Sequence, residues 1–174
     1  MAILLAALSQ NSPIHSAAWF STRLFLRPAM EENKPNRWKI VGGVARLLEF
    51  FNTILTLPAS SDMQGLGLEK DGELVAAVIY EGFNGRNIFM HVAAVPGSRW
   101  MTRDFVRYVF HYPFNELGVD RITGYVDASN AAARRLDEHL GFKPEAVLHG
   151  ASPDGGDMIF YVLRRSDFKH ANPK

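Results

Sequence analysis

A histidine, two carboxylates and a run of arginines are the side chains of this chain that could do chemistry. His91 titrates near neutrality and needs no special surroundings to take a proton. Glu81 falls on the strand expected beside it, so either group could serve as a general base. A lone histidine in a strand is as readily structural, and water could do the same work. Asp137 could give a proton only if burial raised its pKa; on an exposed helix face it would stay ionised. Arg99, Arg103 and Arg107 recur every four residues in HVAAVPGSRWMTRDFVR (91–107), which places them on one face of a helix beginning near Thr102. A helix N-terminus offers free amide protons and the positive end of a dipole, so this spot would suit a pyrophosphate or phosphate. The same arginines would equally form a solvated face, with Met101, Phe105, Tyr108 and Val109 as the buried one.

Other chemistries lack their residues. No cysteine is present, which removes disulfides, thiolate nucleophiles and cysteine metal sites. The six histidines (15, 91, 111, 139, 149 and 170) show no metal-ligand spacing, and no P-loop, G-x-G-x-x-G or G-x-S-x-G occurs. Asp154-Gly155-Gly156-Asp157 has too few ligands for a calcium loop and reads as a turn. A net charge of +1 gives no global field for nucleic acid or an anionic membrane, and the aromatics from Trp100 to Tyr112 read as core. The apolar start MAILLAALSQ lacks a basic region and is too short to span a membrane. These features suit a cytoplasmic protein. At 174 residues the chain fits one domain, read as an extension over 1–20 packed on a domain over 21–174.

The elements that must position the candidate residues follow from periodicity. RLFLR (23–27) alternates like a half-buried strand ended by Pro28, and Glu31 and Glu32 suit the first turn of a helix. Ile40, Val44, Leu47, Leu48, Phe51 and Leu55 predict a helix from about Trp38 to Leu57, stopped by Pro58, although Gly42-Gly43 weakens its first turn. Strands over 66–70 and 74–81 flank Asp71-Gly72, a tight-turn dipeptide, and Asn84-Gly85 leads to a third over 86–95. A helix over about 102–112 follows, kinked at Pro113, then strands over 122–126, 145–149 and 158–164.

One further stretch, DASNAAARRLDEHLGF (127–142), reads as a strand end, a cap at Ser129 or Asn130, a helix, and a glycine stop at Gly141. Asn130, Ala133, Leu136, Gly141 and Phe142 fix five positions across thirteen residues, and this spacing resembles the N-x-x-A-x-x-L-x-x-x-x-G-F signature of GNAT-type N-acyltransferases. The RPA at 27–29 and the order β-α-βββ-α-β-α-ββ are similar to the same superfamily. The resemblance implies an α/β (α+β) fold, a mixed and mostly antiparallel central sheet flanked by helices.

It also implies a site. Acetyl-CoA would be the co-substrate, its pyrophosphate held by the loop Arg99, Trp100, Met101, Thr102 and Arg103. Its pantetheine arm would slot where the strand over 89–95 splays from the strand over 122–126, bonding backbone near Val92, Ala93 and Val95. Asn130 and Ala133 would meet it from their helix start, with oxyanion stabilisation by amides near Ala93. Thr102 and Asp104 stand where the family's loop carries glycine and glycine or alanine, as in phage-type members, and a carboxylate there repels phosphate. Asp137 occupies the position of the tyrosine that many members use as acid; Tyr125 or Tyr161 could substitute. His91 or Glu81 would be the base. The implied activity is direct transfer of an acetyl group to a primary amine in a ternary complex, with no nucleic acid or membrane partner. The rival is a non-catalytic module of the same fold, for example in a phage assembly. The N-terminal segment could complete the acceptor pocket, bind a partner protein or join two copies.

Overall fold

The computed structural model describes residues 38–168. The expected strand over 23–27, the RPA at 27–29, Glu31, Glu32 and the extension over 1–20 lie outside the described residues. Within them the order is β1 (Trp38–Val41), α1 (Val44–Asn52), β2 (Gln64–Lys70), β3 (Glu73–Glu81), β4 (Asn87–Ala94), α2 (Arg103–His111), β5 (Arg121–Asp127), α3 (Ala131–Leu140), β6 (Lys143–Leu148) and β7 (Met158–Arg164). These strands form one sheet in the order β1-β2-β3-β4-β5-β7-β6, antiparallel throughout except for β4 against β5. This is the mixed, mostly antiparallel sheet that the sequence implied.

The expected helix over 38–57 is corrected to a strand and a shorter helix. Trp38–Val41 pairs with Lys70–Gly67 as an edge strand, and the helix starts only at Val44. Gly43, at φ 102°, makes the bend between them, a conformation open to glycine. Glycine serves a second purpose under α1. A Cβ at Gly67 would lie 2.5 Å from Leu47 Cδ2 and 2.8 Å from Leu74 Cδ2, so the helix rests directly on the backbone of β2.

Turn chemistry fixes the meander. Asp71 and Gly72 both have positive φ, 55° and 92°, which gives a two-residue turn twisted like its strands. The next connection is longer: Asn84 Oδ1 accepts the N–H of Arg86 and Asn87 at 3.1 and 2.8 Å and shapes the loop into β4.

Alternation along the strands builds a core on each side of the sheet. On one side α1 covers Ala77, Ile79 and Ala93 with Leu47 and Phe51. On the other, Val78, Tyr80, Met90, Val92, Ile122 and Val126 pack with Phe105, Val109 and Phe110 of α2 and Ala133 of α3. Pro113 does not simply kink α2; a π-helical turn, Tyr112–Glu116, continues it. Proline has no N–H for the carbonyl four residues back, and the buried Tyr80 hydroxyl donates to that Val109 carbonyl instead, at 2.6 Å. No described helix is long and apolar enough to cross a membrane.

Candidate functional site

The site begins where the sheet divides. β4 and β5 pair only at Asn87↔Arg121, Ile88↔Ile122 and Phe89↔Thr123, while β4 stays paired with β3 as far as Ala94, and β5 with β7 as far as Asp127. Beyond Phe89 and Thr123 the two parallel strands therefore part. The Val95 N–H donates to the Val75 carbonyl at 2.9 Å. Hydrogen-bonding direction alternates along an antiparallel ladder, so Val95 and Ala93 turn their backbone groups to β3. Val92 and Ala94 turn theirs toward the gap. Of the expected backbone contacts, Val92 lies on the gap side, and Ala94 joins it in place of Ala93 and Val95.

One face of the gap carries the candidate base. His91 is fully buried, and its Nε2 lies 2.9 Å from Glu81 Oε1. Burial pushes the imidazole below its usual pKa, partly offset by the Glu81 bond, and the same bond holds the Glu81 carboxyl below its ordinary value. A neutral ring that donates Nε2–H to an ionised Glu81 keeps its lone pair on Nδ1, which has no hydrogen-bond partner. The sequence placed His91 and Glu81 on neighbouring strands, and the structure brings them together.

The aromatic surroundings of this pair escaped sequence reasoning. Tyr125 meets the His91 ring edge-on at 5.9 Å and Phe89 at 6.4 Å, and it stacks on Phe160 at 5.3 Å. Phe89, Tyr125 and Phe160 lie on three strands, and only the strand register juxtaposes them. Aromatic residues at alternating positions of three predicted strands were the available signal.

Asp137 lies on α3. The reading of this residue as exposed is corrected: its side chain is fully buried, and neither carboxylate oxygen has a hydrogen-bond partner. Burial, then the charge of Glu138, pushes its pKa up to about 8. Asp137 follows Ala133 by one turn of α3 and precedes Leu140 by another, so the three share a face. Tyr161 is already engaged, donating to Glu138 Oε1 at 3.1 Å. Asn130 is the cap of α3, its Oδ1 accepting the Ala133 N–H at 3.0 Å, which puts the cap at Asn130 rather than Ser129.

Leu140 borders a small depression lined by apolar side chains that include Val92, Trp100, Met101, Val106 and Phe110. At its rim the chain turns through Val95–Ser98, with Gly97 at φ 74°, and enters α2 behind Thr102, whose hydroxyl accepts the Phe105 N–H at 3.3 Å. Arg99, Arg103 and Arg107 are exposed, and none forms an ion pair with a described residue. Asp104 is also exposed. Met101 and Tyr108 were expected in the buried face but are 38% and 49% exposed. The helix starts after Met101, and its inward face runs through Phe105, Val109 and Phe110.

No family model and no curated protein matches the chain at a significant level. Solved structures do. A mutant of the spermidine N-acetyltransferase SpeG from Vibrio cholerae superimposes with a TM-score of 0.64 at 16% identity, over 78% of this chain and 96% of that one. The dodecameric form of that enzyme in an intermediate state gives 0.63 at 16%, over 74% and 94%. A crystal structure named "Probable acetyltransferase" gives 0.54 at 20%, over 62% and 64%. Strand order, parting point and these superpositions agree: this chain has the fold of the GNAT N-acetyltransferases.

Proposed function

We propose that the chain is an N-acyltransferase that moves an acetyl group from acetyl-CoA to a primary amine within a ternary complex. The observation that carries this reading is the parting of β4 from β5 beside the buried His91–Glu81 pair. The residues present suit the donor substrate. Arg99 in the loop before α2 and Arg103 at its first position supply charge for phosphates, and Val92, Trp100 and Met101 supply apolar contact for the pantetheine arm. Asp104 is the one misfit, and its exposure keeps it out of the depression.

In the reaction the amine nitrogen forms a bond to the thioester carbonyl carbon and the carbon–sulfur bond breaks. His91 Nδ1 takes the proton that the nitrogen loses, steadied by Glu81 on Nε2. Asp137, protonated near neutrality, gives its proton to the departing sulfur. Exchange with solvent then restores both groups. The amine acceptor approaches from the His91 face, and the thiol leaves beside Asp137. SpeG, a neighbour in fold, is named for spermidine; a primary amine is the part of that chemistry carried over here.

Thermal unfolding with and without acetyl-CoA tests the reading. At a hundredfold excess over its dissociation constant the ligand should add about 2.7 kcal/mol and raise Tm by several degrees. Arg99→Ala and Arg103→Ala should each weaken that shift. No shift at millimolar ligand would refute the transferase and favour a non-catalytic module.

A further inference from the structure

Resting on the acyltransferase reading, we infer that the acceptor is a primary amine carrying an aromatic ring, held against the wall of Phe89, Tyr125 and Phe160. Three observations converge. The wall spans the opening, with Phe89 on β4 and Tyr125 and Phe160 on β5 and β7, and all three rings are only partly buried. Tyr125 and Phe160 stack at an interplanar angle of 25°, and Phe89 stands at 77° to Tyr125, an arrangement that offers both a ring face and a ring edge to a further ring. His91, fully buried with an unpartnered Nδ1, lies against the same Tyr125. An amine one or two carbons from an aryl group could rest its ring on the wall with its nitrogen beside the His91–Glu81 pair.

A polyamine fits this face poorly. Several spaced cations require several free carboxylates, and among the described residues the two that flank the rings along β3 and β5 are engaged. Glu81 is bonded to His91 at 2.9 Å, and Asp127 accepts from the Ser152 hydroxyl at 2.6 Å. What the described residues of this face offer a ligand is aromatic surface. Its recognition therefore differs from that expected for a spermidine acceptor, even though the fold is shared.

The test compares phenethylamine, hexylamine and spermidine as acceptors at saturating acetyl-CoA, by kcat/KM, with acetyl-CoA binding measured separately by thermal shift. The inference predicts phenethylamine ahead of both others by about tenfold or more. Tyr125→Leu and Phe160→Leu keep apolar volume, and each should erase that preference while leaving the acetyl-CoA shift intact. A folded variant is recognised by an unchanged circular dichroism spectrum, and either variant suffices. Preference for hexylamine or spermidine, or a preference indifferent to both substitutions, overturns the aromatic acceptor and leaves the transferase standing. If acetyl-CoA neither binds nor turns over with any amine, the transferase reading falls and the acceptor inference falls with it.

Discussion

Asp137 keeps its proton because it is buried without a donor to either oxygen, next to the negative Glu138. Its pKa rises from 3.8 to about 8, so between those values the folded state binds more protons than the unfolded one. Stability from this group is complete below the unfolded value and falls as pH rises through the folded one, by several kcal/mol across the window. Asp137→Asn cannot ionise, and urea unfolding should show its stability relative to the native chain increasing from about pH 5 to about pH 9. A difference independent of pH would mean that the carboxyl is ionised throughout. In turnover the same variant should lose roughly a hundredfold in kcat and the alkaline limb of the pH–rate profile, expected at about 8 in the native chain. On the proposed mechanism the acidic limb would belong to His91. Burial lowers its pKa, so the rate should fall only below the usual histidine range. The position of Asp137 was legible in the spacing from Asn130; its environment was not. Ala133, Leu136 and Leu140 fall at helical spacing, yet Ala133 and Asp137 are the fully buried pair and both leucines are half-buried.

At the scale of elements, local signals worked where backbone chemistry is local. The Asp71-Gly72 turn, the glycine stop at Gly141 with φ 97° and the Asn130 cap all stand as the residue types require, with Asn130 chosen over Ser129. The first helix failed because Ile40 and Val44 continue a helical spacing across Gly42-Gly43, while four residues of WKIV read equally as a strand. Pairing with β2 decided between them, and that contact is invisible in a single segment. The π-helical turn depended on a residue thirty-odd positions away, Tyr80. Tyr80→Phe leaves the Val109 carbonyl buried without a donor and should lower unfolding free energy by about 1–3 kcal/mol in urea titration. An unchanged midpoint would mean that water replaces the hydroxyl. At Gly67 the close approach of Leu47 and Leu74 predicts that Gly67→Val forces α1 off the sheet, at a cost of about 1–3 kcal/mol read from the same titration.

For the whole molecule, the element order was legible, although among the described residues the first strand is Trp38–Val41 and the expected strand over 23–27 lies outside them. The insertion of β7 between β5 and β6 was not, since strand adjacency out of chain order comes from long-range packing. The parting of β4 and β5 entered only through the family resemblance, and the aromatic wall across it depends on register among three strands. The proposed function requires that this opening transfer an acyl group. The most direct measurement mixes the full chain with acetyl-CoA and primary amines, following free thiol release and the mass of the amine product. Thiol should be released in equal amount to acetylated amine, in an amine-dependent reaction that Asp137→Asn suppresses. Tight acetyl-CoA binding with no amine-dependent thiol release from any amine tested would contradict the proposed function and leave a cofactor-binding module without transfer.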